Sequence, residues 1–284
     1  YDSLTGLPNR ALISDRITTA ASIAHRHRTK FAVLSLNIDR LKTINDSFGL
    51  PVGDILLKDF AVRLKECIRD EDSVARLTGD EFLILLEEVE GTDCASSTAQ
   101  RIMDVMQEAF HIDDHQIVIT VSIGISIYPE HGTDANSLIK NADAAMYVAK
   151  ASARGIFRFF TPEMNAMSAG RLLLEHELRQ ALKNDELLIH YQPQLDLTTN
   201  TLSGFEALVR WNHPVRGLVP PNQFIPVAEE AGLIVQIGEQ VMRKACFQIK
   251  QWQAQGLPVV PVAVNVSSVQ FRQANFLATV RAAL

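Results

Sequence analysis

Asp80 and Glu81, in the stretch VARLTGDEFLILLEE at residues 74–88, are the side chains best placed to do chemistry. Strand-forming residues 74–77 run into Thr78-Gly79-Asp80-Glu81, and the apolar residues 82–86 follow. Two β-prone runs joined by a Gly/Asp turn predict a hairpin with the acidic pair at its tip. Taken alone, such a turn is a solvated loop. Upstream, Asn37 and Asp39 stand where the apolar run 31–38 ends, and residues i and i+2 of a strand share a face. If the hairpin pairs beside that strand, Asp80 approaches Asn37 and an oxygen-rich pocket results. Mg²⁺ uses pockets of this kind against a triphosphate, with carboxylates and phosphate oxygens sharing its octahedron. Far along the chain, Glu206 and Asn265 each stand at the end of a predicted strand. Ligands at the C-terminal ends of barrel strands converge at one mouth.

The elements that must position these residues follow from periodicity. Residues 8–29 predict a helix, with Pro8 near the first turn and Leu12, Ile13, Ile17, Ala20, Ala21 and Ala24 recurring near 3.6. Residues 31–38 are apolar enough for a central strand, 44–46 lie in a short helix, and 52–68 form a longer one. After the hairpin come a helix at 93–110, a β-branched strand at 116–128, a helix at 134–151 and a strand at 156–160. The fold class is α+β, a central mixed sheet with flanking helices. Thr161-Pro162-Glu163 opens a helix to about 184, since Thr caps, Pro suits the first turn and Glu suits the positive end. Strands at 187–192, 202–209 and 259–266 then alternate with helices at 222–231, 233–255 and the end of the chain. That alternation predicts a (β/α) barrel. A complete TIM-type barrel has about eight strands in roughly 250 residues, so residues 185–284 hold only part of one.

Composition limits the options. Of 284 residues, 47% are apolar and 21% charged, with a net charge of −6. This is the profile of a soluble protein of about two domains. It argues against a general nucleic-acid binder, which needs a basic face, and leaves room for a nucleotide held by a few local cations and a metal. Cys67, Cys94 and Cys246 form no CxxC pair and fit a reducing cytoplasm. No apolar run approaches about 18 residues, so no membrane segment is expected within this stretch; a membrane anchor or sensor domain outside it is compatible with the sequence. There is no P-loop, HExxH or internal repeat.

The segment Thr78–Phe82 resembles the GG(D/E)EF loop of diguanylate cyclases, and companion motifs stand in order around it. Residues 2–10 (DSLTGLPNR) resemble that family's opening motif. Residues 37–46 (NIDRLKTIND) resemble its DxDxFKxIND segment, Gly53-Asp54 follows, and residues 142–150 (ADAAMYVAK) resemble its closing helix. Residues 205–211 (FEALVRW), with Tyr191-Gln192-Pro193, His213-Pro214, the PxxFIP-like 221–226 and VNVS at 264–267, resemble the EAL cyclic di-GMP phosphodiesterase domain. The resemblance implies a cyclase-like domain with a nucleotide-cyclase palm over 1–160, a connecting helix at 161–184, and the N-terminal part of an EAL domain over 185–284.

It also implies roles. Asn37, the Ile38 carbonyl and Asp80 would ligate Mg²⁺ or Mn²⁺, with Asp80, Glu81 and Lys42 at the catalytic centre. Asn45 and Asp54 would read guanine, an amide and a carboxylate together matching its acceptor and donor edges. Lys42, Lys150 and Arg154 would hold phosphate. Arg69 and Asp72 stand at the offset of the family's inhibitory cyclic di-GMP site; without the family they are a weak surface ion pair. Glu206, catalytic, and Asn265 would ligate a divalent-metal pair that activates water for in-line attack, with Gln192 on the substrate and Arg210 on its phosphate. The implied partners are GTP and/or cyclic di-GMP, and a second copy of the chain, because each cyclase monomer binds one GTP.

Two positions depart from the family pattern. Asn37 replaces an Asp, removing a charge whose interaction with a monovalent partner at 4 Å is worth about 4 kcal/mol at an effective dielectric near 20. Thr78 replaces a Gly; if the position requires φ > 0, a β-branched residue there costs about 1–2 kcal/mol. Guanine and phosphate contacts persist while metal contacts weaken, a pattern that favours a regulator binding GTP or cyclic di-GMP over an active cyclase. An active diguanylate cyclase and an inactive cyclic di-GMP receptor are the alternatives. The family's remaining metal carboxylates and catalytic Lys come from later strands. This stretch is therefore not expected to hydrolyse cyclic di-GMP, whereas an intact parent would convert it to pGpG.

Overall fold

Phe31–Ile38 is buried at every position, and its alternation organises the first unit. Ala32, Leu34, Leu36 and Ile38 enter one apolar core, while Phe31 and Val33 enter the other. A strand covered on both faces is largely apolar, and the exceptions here, Ser35 and Asn37, are buried polar residues. The computed structural model describes residues 1–167 and 169–284, and the chain divides into units Tyr1–Ser168 and Ala169–Leu284.

In chain order the first unit holds α1 (Arg10–His27), β1 (Phe31–Ile38), α2 (Leu41–Phe48), α3 (Leu50–Glu66), β2 (Ser73–Thr78), β3 (Glu81–Leu86), α4 (Thr92–Gln107), β4 (Phe110–Ile112), β5 (His115–Ile117), β6 (Val121–Tyr128), α5 (Ala135–Ser152) and β7 (Phe157–Phe159). The division between units falls within α6 (Pro162–Lys183). The sheet order is β2-β3-β1-β6-β7. Strand β1 runs antiparallel to β3 and β6, and β6 runs parallel to β7, so the sheet is mixed as expected. Helices α3 and α4 cover one face; α1 and α5 cover the other.

One segment corrects the sequence reading. The helix expected through residue 110 stops at Gln107, and Phe110–Ile112 pairs with His115–Ile117 as a separate hairpin. The cause is tertiary: the Arg63 guanidinium donates to the carbonyls of Val105, Glu108 and Ala109 at 3.3, 2.8 and 2.8 Å and lies 3.7 Å from the Phe110 ring centroid. It satisfies the Val105 carbonyl in the last turn of α4, one of those a helix end otherwise leaves without partners, and the two carbonyls that follow the helix.

The second unit continues with β8 (Leu187–Asp196), β9 (Thr201–His213), β10 (Gly217–Val219), α7 (Pro221–Glu230), α8 (Ile234–Ala254), β11 (Val262–Val264), α9 (Ser268–Phe271) and α10 (Phe276–Ala283). Strand β9 pairs antiparallel with β8 and β10 and parallel with β11. Within this unit, and among the described residues, the parallel β9–β11 pair joined through α7 and α8 is the one crossover of a (β/α) kind. Trp211 and Phe224, both fully buried, centre its core with Leu178 and Ile237. The strand expected to end near 209 continues to His213, so Glu206 lies mid-strand rather than at an end. Hairpin pairing with β10 extends it. The final helix is two short ones, α9 and α10. Among the described residues no helix is long and apolar enough to cross a membrane.

Candidate functional site

The acidic turn forms where the hairpin pattern places it, beside the end of β1. Glu81 stands opposite both Thr78 of β2 and Asn37 of β1, and the Ile38 N–H donates to the Asp80 carbonyl at 3.2 Å. The positive φ of the turn falls on Gly79, at +52°, while Thr78 is the last strand residue of β2. Threonine therefore carries none of the backbone strain considered for position 78, because the position asks for an extended conformation that suits a β-branched side chain. Its hydroxyl donates to Glu81 Oε2 at 3.2 Å.

Arg76 holds this turn from behind, a role the sequence reading did not assign. Its Nε and Nη2 donate to the Gly79 carbonyl at 3.0 and 2.8 Å, and Nη1 pairs with Asp2 at 3.0 Å. Asp2 is itself set by the Thr5 N–H and hydroxyl, at 2.8 and 2.6 Å. Burial works against the Asp2 carboxylate, but the Thr5 and Arg76 donors prevail and hold it below its usual range. The opening motif contained the signal, an Asp three residues before a Thr, but its partner Arg76 is remote in sequence.

On the odd-numbered face of β1, shared with α5, polar residues replace the core. The Ser35 hydroxyl donates to Asp143 Oδ1 at 2.6 Å, and the Lys150 ammonium donates to Asn37 Oδ1 at 2.7 Å. Burial pushes the Asp143 carboxyl up; Ser35 offsets part of this, and nearby Glu81 adds to it. Asp39, also buried, accepts from the Thr120 and Ser122 hydroxyls at 2.7 and 2.9 Å and from the Gly155 N–H at 3.1 Å. These bonds fix the turn after α5, which carries Arg154.

Helices α2 and α3 set the remaining candidates. Asn45 Oδ1 is buried and has no hydrogen-bond donor among the described residues. It presses against Gly53, where an added Cβ would lie 1.9 Å from it. Any residue but glycine at 53 would displace the amide. A buried acceptor left unpaired costs about 1–3 kcal/mol. Asp54 follows on α3 and is exposed, as is Lys42 on α2.

The donor set does not fit a divalent ion at Asn37. The amide is neutral, its oxygen is engaged by an ammonium, and Asp39 spends its carboxylate on three protein donors. Among the described residues no three His, Cys, Asp or Glu side chains converge as a metal cluster.

Arg69 and Asp72 border a cavity of about 280 Å³ that Cys67, Glu87, Cys94 and Arg101 also line. Asp72 accepts from the backbone N–H groups of Arg69 and Glu87, each at 3.0 Å, while burial raises its carboxyl. The Arg69 side chain turns to Glu71, at 3.9 Å, rather than to Asp72. The expected i,i+3 side-chain pair is thus replaced by a backbone cap.

In the second unit, Asn265 follows β11 directly and donates to Glu206 Oε1 at 2.7 Å. Register brings Gln192 opposite Glu206. Arg210 lies farther along β9 and donates to the Val209 carbonyl at 2.8 Å. The Ser267 hydroxyl donates to Glu229 at 2.6 Å, tying the loop after β11 to α7. One carboxylate and one amide, already bonded to each other, are fewer donors than a pair of divalent ions takes.

Comparison with known proteins gives both units counterparts. Residues 1–155 match the family described as "Diguanylate cyclase, GGDEF domain", and residues 175–284 match the family described as "EAL domain". The chain is 43% identical, over 100% of its length and 41% of theirs, to the bifunctional diguanylate cyclase/cyclic di-GMP phosphodiesterase MucR of Pseudomonas aeruginosa. It is 42% identical to the cyclic di-GMP phosphodiesterase PdeR of Escherichia coli, over 95% of this chain and 40% of that protein. The chain therefore spans about two fifths of the length of these relatives. The crystal structure of the GGDEF domain of YfiN (TpbB) from Pseudomonas aeruginosa aligns with a TM-score of 0.55 and 40% identity, over 55% of this chain and 98% of that one.

Proposed function

The chain belongs to the GGDEF family of diguanylate cyclase domains, with an EAL segment behind it, and from that premise we propose that it is part of a cyclic di-GMP signalling protein whose first unit binds a guanine nucleotide as a regulator. In this reading residues 1–160 are the nucleotide-binding domain, 161–184 the helix that follows, and 185–284 part of the domain that hydrolyses cyclic di-GMP to pGpG in the intact protein. The observation that carries it is the buried, donor-less Asn45 oxygen against Gly53. The N–H groups of a guanine edge would satisfy it, with Asp54 beside it as a second acceptor. Lys42, Lys150 and Arg154 supply cations for the phosphates. Asp80 and Glu81 complete the rim. Arg69 and Asp72 are candidates for binding the cyclic dinucleotide, and Glu206, Asn265, Gln192 and Arg210 for the EAL site. Mg²⁺ or Mn²⁺ belongs to the full EAL site, to which this chain brings Glu206 and Asn265 as two of the ligands.

A second reading, an active diguanylate cyclase, is favoured by one observation: Thr78 fits its turn without strain. That reading requires two copies of the chain, each with one GTP. Calorimetric titration with GTP and with cyclic di-GMP, alongside chromatography of reactions with GTP, tests both readings. The regulator reading expects GTP binding that Asn45→Ala weakens by about tenfold, the equivalent of one lost hydrogen bond to a buried group, and no cyclic product. Cyclic di-GMP accumulating from GTP would establish the cyclase instead, and GTP binding indifferent to Asn45 would remove the proposed pocket.

A further inference from the structure

The face of β1 that meets α5 holds an arrangement with a consequence for how GTP is held. Asn37 is only 5% exposed, so its side chain has few alternatives, and its oxygen accepts from Lys150 at 2.7 Å. Lys150 lies in the last turn of α5, where the negative end of the helix favours a cation. The register of β1 gives the pairing its reason. Residues 31 and 33 pack into the core on the α1 and α5 side, residue 35 bonds Asp143 of α5, and residue 37 comes next on that face. A carboxylate at 37 would neutralise the ammonium and leave oxygen lone pairs for a metal. The amide does neither: the pair Asn37–Lys150 keeps a net charge of +1 by itself, whereas a carboxylate beside Lys150 would sum to zero until a divalent ion joined them. Beyond the bond to Asn37, the ammonium has two further N–H donors, and ammonium-to-phosphate bonds are among the stronger charge-assisted contacts.

We propose that the Lys150 ammonium, seated on Asn37, takes the place of a divalent ion at this position, so that the first unit binds GTP without metal there. This rests on the guanine-nucleotide reading above and deepens it, because a fixed lysine can hold a triphosphate but supplies no exchangeable metal coordination. Calorimetry of the 284-residue chain with GTP, in Mg²⁺ and in EDTA, tests it without any substitution. The expected dissociation constants agree within about threefold, less than the free-energy equivalent of one hydrogen bond. Lys150→Gln should weaken binding in EDTA by about tenfold or more, as loss of a charge-assisted phosphate contact does. Asn37→Asp should reverse the pattern and make GTP binding depend on Mg²⁺. A metal-only measurement gives a further readout: the electron paramagnetic resonance signal of free Mn²⁺ should be unchanged by the wild-type chain and depleted by Asn37→Asp. GTP binding that requires Mg²⁺ in the wild type overturns the substitution of lysine for metal while leaving the nucleotide site intact. Absence of GTP binding in both buffers overturns the proposal together with the reading beneath it.

Discussion

The two units treat their candidate residues differently. In the first, side chains are held by neighbours drawn from distant parts of the chain: Asp2 on Arg76, Ser35 on Asp143, Asn37 on Lys150, and Asp39 on Thr120 and Ser122. In the second, Glu206 and Asn265 hold each other, and Gln192 opposite them lies on the exposed end of β8. A five-stranded sheet with both faces covered can fix polar groups on its central strand because the surrounding backbone cannot move to relieve them. A sheet with an open face leaves its polar groups to water. The first site is thus built by the fold as it stands, whereas the second presents a single bonded pair.

Substitutions can break or sharpen this contrast. The largest effect belongs to the second unit's core rather than its site. Trp211→Ala removes a fully buried ring and its 3.0 Å bond to Glu186, and should cost about 3–5 kcal/mol, read as loss of that unit's transition in chemical denaturation. Next is Arg76→Ala, which strips both Asp2 and the Gly79 carbonyl of their partner. A cost near 3 kcal/mol is expected, with weakened GTP binding because the acidic turn is released. Arg76→Lys should restore part of the stability but not the two-pronged grip on Gly79. Gly53→Ala places a methyl 1.9 Å from Asn45 Oδ1, so strain of about 1–3 kcal/mol should accompany loss of GTP affinity in calorimetry.

Asp143→Asn should stabilise the chain, and the sign follows from linkage. Burial raises this carboxyl above its ordinary value, so the folded state binds the proton more tightly than the unfolded one. The stability so gained is full below the unfolded pKa and is lost as pH rises through the folded one. Asparagine keeps an acceptor for Ser35 and has no charge to bury. Its melting temperature should therefore exceed the wild type's at pH 7, with the two converging near pH 3; a larger gain on the acid side would contradict the assignment. The smallest effect belongs to Asn265→Ala, about 0.5 kcal/mol or less, because it removes one partly solvated bond. A thermal shift equal to that of Arg76→Ala would erase the difference between the units.

Local pattern reads well wherever one neighbour decides. The span of β1 follows from its unbroken apolar run, and Asp80 lies beside the end of β1 because the hairpin pairs with β1 through β3. Glu206 and Asn265 come together because β11 adds parallel to β9. Pattern fails where a remote side chain intervenes. Arg63 ends α4 early and makes room for the β4–β5 hairpin. Register with β10 carries β9 past its predicted end.

Residue types and their spacing determined the family, the order of the two units, the acidic turn and the identity of the residues around it, since these depend on local periodicity and short motifs. Tertiary structure alone decided what those residues touch. Thr78 proved unstrained because the turn places its positive φ on Gly79. Asn37 proved bonded to Lys150 because β1 and α5, 113 residues apart at that contact, pack face to face. A linear motif records which groups are available, but a neutral amide becomes a seat for an ammonium only when packing brings the two within hydrogen-bond reach and excludes water from the amide.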